Sequence, residues 1–231
     1  MPSSLPAERP ALAVDVVLFS ILEQRLQCLL IRRGEEPFRG AYALPGGFVR
    51  ANESLEEAAF RELQEESNVR NVYLEQLFTF GDPDRDPRGR VVSTAYYALI
   101  DAGRQTLRAA TDAAEAGWFE VARLPKLAFD HERIVHTALN RLRGRANYST
   151  VAFQLMPRAF TLEQLHRVYG IIMGRDLDRR NFRKKILSLG ILIDTGKVTS
   201  GARSRPGRLY RLRSPGIERL QERGVVAPYE S

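Results

Sequence analysis

Residues 46–69 read GGFVRANESLEEAAFRELQEESNV, and the rest of the chain is organised around them. Gly47 is followed after five residues by Glu53, and seven residues later by Arg61-Glu62-Leu63-Gln64-Glu65-Glu66. Ser54 and Glu57 have the spacing of a capping box, and Leu55, Ala59 and Leu63 form an apolar stripe, so a helix is expected over about 54–67. On that helix Glu62, Glu65 and Glu66 stand at i, i+3 and i+4 and share a face. Three like charges on one face repel, and a hard divalent cation with oxygen ligands offsets the cost. Magnesium is the expected ion, because it bridges a few carboxylates to substrate phosphates. Gly46 and Gly47 allow a tight turn or close approach to a ligand.

This spacing resembles the Nudix box: glycine, glutamate, then Arg-Glu-aliphatic-x-Glu-Glu-x-Gly-aliphatic. The match covers Gly47, Glu53, Arg61, Glu62, Leu63, Glu65, Glu66 and Val69. It departs at Asn68, where the family has glycine. That position follows the helix and calls for a left-handed residue, and asparagine is the next choice after glycine.

Working outward, residues 12–22 and 26–32 read as a β-hairpin around Glu23-Gln24-Arg25. Further strands are expected in the stretches 42–49, 71–80, 91–100 and 118–121, and a helix over 129–142. Between two of the strands lies GDPDRDPRGR, residues 81–90, dense in turn residues and charge. Asp86-Pro87-Arg88-Gly89 and Phe129-Asp130-His131 look like stretches of ADP-ribose-type Nudix proteins. The 81–90 loop has two readings: Arg85, Arg88 and Arg90 reach a pyrophosphate, or it is a solvated hairpin tip with two prolines; on the first, they and Gly46, Gly47 and Arg61 are the expected effector-binding residues. His131 reads as a helix-start or packing residue. Strands mixed with two helices suit an α+β or α/β layered fold, which the resemblance sharpens to the Nudix α/β/α sandwich.

Charge divides the chain. Residues 1–140 hold 16 Lys+Arg against 21 Asp+Glu, and residues 141–231 hold 19 against 7, so net charges of −5 and +12 make up the overall +7. An acidic first part and a basic second part point to two domains with different partners, the second facing nucleic acid. The expected division is 1–148 and 149–231. It rests on Gly144, within the basic run 141–149, breaking the helical pattern.

In the second part, Thr161 and Gln164 form a second capping box, flanked by Phe160 and Leu165 as a staple, and Gly174 ends that helix. Asp178 caps a further helix to Leu189. Phe182, Ile186 and Leu189 fall on one side of it. Arg180 and Lys184 lie opposite, with Asn181 and Arg183 on the flanks. A short strand at 191–193, a basic loop from Thr195 to Gly207 and a returning strand at 209–212 follow. Helix, turn, basic helix and hairpin describe a winged helix-turn-helix. Arg179, Arg180, Asn181, Arg183, Lys184, Lys197, Arg203 and Arg205 are its expected DNA contacts.

The domain order and these residues resemble the Nudix-related transcriptional regulators, the NrtR family, over roughly 12–213. The resemblance implies a repressor of genes of NAD synthesis and salvage. It would bind a palindromic operator in double-stranded DNA as a homodimer and be released by ADP-ribose or a related nucleotide. It also implies that Glu62, Glu65 and Glu66 are metal ligands if the box is active, with Glu66 and Glu62 the catalytic candidates. The alternative reading is a magnesium-dependent ADP-ribose pyrophosphatase with a basic accessory domain, and a third is a regulator answering to a sugar-derived effector. No apolar run has the length of a membrane span, and residues 1–15 lack the pattern of a secretory signal. Cys28 stands alone in an apolar run, which fits a reduced cytoplasmic thiol.

Overall fold

The computed structural model describes residues 9–69, 72–101, 116–199 and 206–214. They divide into two compact units: those within 1–19, 27–99 and 105–138, and those within 20–26, 100–104 and 139–231.

The first unit is built on a mixed sheet. Its strands are β1 (Ala11–Leu22), β2 (Arg25–Arg32), β3 (Tyr42–Ala43), β4 (Gly46–Phe48), β5 (Tyr73–Phe80), β6 (Val91–Leu99) and β7 (Ala116–Glu120). The order is β3-β2-β1-β6-β5, with β4 paired to β1 and β7 to β2. β1 runs parallel to β6, from Ala11 opposite Val91 to Phe19 opposite Leu99. Val16, Val17, Leu18 and Phe19 are fully buried, as an unbroken apolar run in a parallel pair requires when both faces are covered. Glu23 and Gln24, between β1 and β2, take φ of 49° and 61°, the left-handed turn that reverses the chain.

The expected Nudix-box helix is α1 (Leu55–Ser67). Ser54 caps it with the full reciprocal capping box, worth about 1 kcal/mol. Asn68 ends it at φ 56°, the left-handed position at which it replaces the family's glycine. Ala58, Ala59 and Leu63 are its fully buried apolar face.

The glycines before α1 serve close approach. A Cβ on Gly47 would overlap the Glu62 carboxylate, and one on Gly46 would overlap the Val14 carbonyl. β4 therefore lies directly against the carboxylate face of α1 and against β1.

The helix expected to break at Gly144 does not break there. α2 runs His131–Tyr148. A helical glycine costs roughly 1 kcal/mol relative to alanine, which the full burial of Leu142 and Ala146 outweighs.

The second unit contains α3 (Leu162–Met173) and α4 (Arg179–Ser188), followed by the antiparallel pair β8 (Leu192–Val198) and β9 (Arg208–Leu212). Thr161 makes the expected capping box on α3, and Gly174 closes that helix at φ 66°. Asp178 caps α4 by accepting from the Asn181 N–H at 2.7 Å. β8 continues to Val198, so the basic loop begins later than residue 195. The sequence reading also missed a 3-10 helix, Thr150–Leu155, which brings in Phe153. An aromatic core joins these pieces: Phe153 lies 5.5 Å from Phe160 and 6.3 Å from Tyr169, and Tyr169 lies 5.3 Å from Phe182, ring centre to ring centre. Such pairs add about 0.5–1.5 kcal/mol each beyond area burial. Among the described residues no helix is long and apolar enough to cross a membrane.

Candidate functional site

A cleft of roughly 660 Å³ opens in the first unit. One wall is the carboxylate face of α1 (Glu62, Glu65 and Glu66) with Gly46 and Gly47 of β4. Arg33 to Glu35, Phe48, Arg88 and Phe129 also line it, and Asp15, Arg85 and His131 lie at its base among the buried residues.

The carboxylates are not equivalent. Arg61 reaches Glu53 through two bonds of 2.6 and 2.8 Å, Glu62 at 2.6 Å and Glu65 at 3.2 Å, and donates to the Phe48 carbonyl at 3.2 Å. Arg61 thus organises the carboxylates. Glu66 accepts from the Gly46 N–H at 3.0 Å. Its own burial, then the charge of Glu62, push its pKa up to about 8. Burial likewise raises Glu62, against the pull of Arg61.

This donor set suits a hard cation: all oxygen, of one sign, with the half-buried Glu66 carboxylate short of positive charge. Among the described residues no three metal-ligating side chains are already gathered on one point. A cation therefore competes with Arg61 for Glu62 and Glu65.

Beneath this wall is a buried ion network that the sequence reading did not include. Arg85 is bonded through Nη2 to Asp15 at 3.2 Å and to Asp130 at 2.7 Å, and its side chain is 4% exposed. Ser93 donates to Asp15 at 2.6 Å, and His131 Nε2 lies 3.3 Å from the same carboxylate. Burial would raise the pKa of Asp15, but His131, Ser93 and Arg85 together hold it at about 2. His131 also accepts the Leu44 N–H on Nδ1 at 2.9 Å, which ties the start of α2 to the chain entering β4. A lone aspartate inside the apolar run of β1 was the signal for this network, since a charge there must be paired.

The expected arginines of the loop between β5 and β6 part company. Arg85 points inward and is spent on Asp15 and Asp130. Arg88 stays 43% exposed, pairs with Asp86 at 2.7 Å and lies 5.1 Å from the Phe48 ring. Arg90 donates to the Gly81 carbonyl at 2.6 Å and lines a neighbouring hollow with Arg9, Gly89 and Phe48 rather than the cleft itself. Arg33, Phe48 and Phe129 are cleft residues that were not among the expected ones.

In the second unit α4 buries Phe182 and Ile186 and leaves Arg179, Arg180, Asn181, Arg183 and Lys184 exposed. Lys197 is exposed on β8. Arg203 and Arg205 lie outside the described residues. The exposed set on α4 combines phosphate-gripping cations with an asparagine that can read adenine edges.

Residues 10–138 match the NUDIX domain, and residues 152–212 match the NrtR DNA-binding winged helix domain. The chain belongs to the NrtR family. It is 36% identical over 206 residues, 87% of this chain and 82% of the relative, to the ADPR responsive transcriptional repressor NtrR of Acinetobacter baylyi. The crystal structure of Shewanella oneidensis NrtR complexed with a 27mer DNA is similar at 35% identity and a TM-score of 0.75, over 87% of this chain and 93% of that one. The Nudix domain of the same Shewanella protein, complexed with ADP ribose, is similar at 38% identity and a TM-score of 0.54, over 58% of this chain and 90% of that one. The Nudix part is also 45% identical over 126 residues, 54% of this chain and 71% of the relative, to an ADP-ribose pyrophosphatase of Methanocaldococcus jannaschii.

Proposed function

We propose that this NrtR-family chain is an ADP-ribose-responsive transcriptional repressor. Its winged-helix domain binds a DNA operator, and ADP-ribose in the cleft of the Nudix domain releases it. The observation that carries this is the presence in one chain of two surfaces with opposite demands. The cleft puts arginines and aromatic rings beside a carboxylate helix, a setting for a nucleotide diphosphate. The helix α4 buries Phe182 and Ile186 and leaves cations and an asparagine outside. The names of the Acinetobacter and Shewanella relatives support the same pairing of ligand and DNA.

Gly46, Gly47 and Arg88 meet the ligand in this reading, while Arg61 and Arg85 hold the site in shape. Arg179, Arg180, Asn181, Arg183, Lys184 and Lys197 face the DNA in this reading, and Arg203 and Arg205, expected from the sequence as further DNA contacts, lie outside the described residues. The molecule acts as a homodimer on a palindrome in the cytoplasm, because two half-sites multiply the specificity of one small helix. The target genes are those of NAD synthesis and salvage, following the family resemblance. The working division between sensor and reader is 1–148 and 149–231.

Magnesium, if taken up, is held by Glu62, Glu65 and Glu66. It would polarise the diphosphate and neutralise charge developing on it. Glu66 or Glu62 would then double as the proton-accepting carboxylate. The intact carboxylates favour a second reading, slow hydrolysis of ADP-ribose, which the similarity to an ADP-ribose pyrophosphatase supports.

Fluorescence anisotropy on an operator duplex, titrated with ADP-ribose with and without magnesium, tests the first reading. Tight binding reversed by ADP-ribose is expected, and no preference for that duplex over a random one would sink it. Release of AMP and ribose 5-phosphate, lost in Glu66→Gln while DNA binding persists, is the mark of the second.

A further inference from the structure

One guanidinium in the cleft has terminal nitrogens to spare. Arg33, just past the end of β2, is half-buried among the cleft residues. Its Nε donates to the Pro37 carbonyl at 2.8 Å, which fixes the inner edge of the guanidinium. Its Cζ lies 4.8 Å from the centre of the Phe129 ring. Arg88 approaches the same ring, its Cζ 5.7 Å from the centre.

The two arginines differ in how they are balanced. Arg88 is paired through Nε and Nη2 with Asp86 at 3.0 and 2.7 Å. Among the described residues Arg33 makes no ion pair. Burial, then the charge of Arg88, weakens the hold of Arg33 on its proton, while the nearby carboxylates Asp86, Glu35 and Glu66 pull the other way without reaching ion-pair distance. A partly desolvated guanidinium beside a second one, with its terminal nitrogens uncommitted, has the fork free for a phosphate oxygen pair. The face of Phe129 holds its plane, so little side-chain freedom remains to be lost on binding.

We propose that Arg33 is a ligand-reading residue: with Arg88 it receives a phosphate or diphosphate group of the nucleotide, while Phe129 and Phe48 hold the two guanidinium planes. The assignment rests on the nucleotide-binding reading of the cleft. It divides the cleft into a carboxylate wall that takes a cation and an arginine wall that takes phosphate. Anion binding then persists when divalent cations are removed.

Isothermal titration calorimetry of the full chain tests this, with ADP-ribose and separately with inorganic pyrophosphate, both in EDTA. The variants are Arg33→Ala, Arg33→Lys and, as a control, Arg39→Ala, an exposed arginine outside the cleft. Arg33→Ala is expected to weaken ADP-ribose about 10- to 100-fold, as loss of a charged hydrogen-bonding partner does. Arg33→Lys, which keeps the charge but not the fork, is expected to lose about 3- to 10-fold. Arg39→Ala is expected to bind as wild type.

If the melting temperature shows that Arg33→Ala does not fold, Arg33→Lys decides. Unchanged affinity in a folded Arg33 variant overturns the proposal. If wild type takes no ADP-ribose, the effector reading fails, and the pyrophosphate arm judges Arg33 by itself. Binding lost in the variant sustains the assignment. Equal binding, or none to wild type, ends it.

Discussion

Arg85, buried, and Glu66, half-buried, decide how the Nudix domain responds to mutation and to pH. Arg85 looks from its loop like a ligand contact, yet two carboxylates consume it below the cleft. Arg85→Ala would leave Asp15 and Asp130 without their shared partner, and removing one side of a buried ion group costs about 3–5 kcal/mol. Urea unfolding should show a fall of that size, larger than any loss specific to ligand. A midpoint shift of less than about 1 kcal/mol would mean the network is not what holds this region together. Glu66 carries the opposite liability. Its pKa of about 8 in the folded chain lies above the ordinary value of 4.5, so the folded state binds more protons between those limits. Its contribution is therefore fully present below about pH 4.5 and lost as pH rises through 8. Asp15, held at about 2 against an ordinary value of 3.8, has the reverse sign, but its contribution is lost only as pH falls through 2, outside this window. Thermal unfolding of wild type in EDTA should lose stability on the order of a few kcal/mol between pH 5 and 8. In Glu66→Gln the slope should be markedly flatter, and equal slopes would contradict the assignment.

Single elements carry the next set of consequences, beginning with α4. Arg180→Ala and Lys184→Ala should each weaken operator binding and reduce the slope of log affinity against log salt by about 1, with ADP-ribose affinity unchanged. A salt plot with the wild-type slope would take these side chains off the phosphates. In α2, a Cβ at Gly144 meets nothing within 4 Å. Gly144→Ala should raise stability by roughly 0.5–1 kcal/mol, measurable as a rise in melting temperature. The same glycine shows where sequence reading runs out. Ser54, Asn68, Thr161, Gly174 and Asp178 were legible because a cap is a local matter, settled by a side chain and the next three backbone amides. Gly144 was misread because burial of Leu142 and Ala146, a tertiary effect, outweighs its local preference. In the cleft, Glu62, Glu65 and Glu66 were legible from helical spacing. Asp15, Arg33 and Phe129 come from separate strands and loops, and nothing in their local sequence announces that they meet. Arg85 and Arg88 sit three residues apart in one loop, and only folding sends one inward to Asp15 and Asp130 and leaves the other half-exposed on Phe48.

At the scale of the whole molecule the question is how a ligand in one domain reaches DNA held by another. A ligand moves this equilibrium only by binding the DNA-free form more tightly than the DNA-bound form. If ADP-ribose lowers operator affinity by some factor, operator must lower ADP-ribose affinity by the same factor. Couplings of this kind commonly amount to about 1–3 kcal/mol, or roughly 5- to 150-fold. Two titrations on the same full-length chain test it: operator affinity with and without saturating ADP-ribose, and ADP-ribose affinity with and without saturating operator. Both must be done in one buffer, with magnesium either present throughout or absent throughout, and with turnover blocked by Glu66→Gln if AMP accumulates. Equal factors are expected. A large factor in the first titration and none in the second would mean that ADP-ribose does not act by binding the repressor reversibly. If that mismatch appears only in the wild-type chain and not in Glu66→Gln, the release comes from hydrolysis, which consumes the ligand and is free of that reciprocity. The pair of measurements thus separates the sensor from the enzyme without assuming either, and Arg33→Ala should weaken ADP-ribose by one common factor with and without operator while leaving the coupling factor intact.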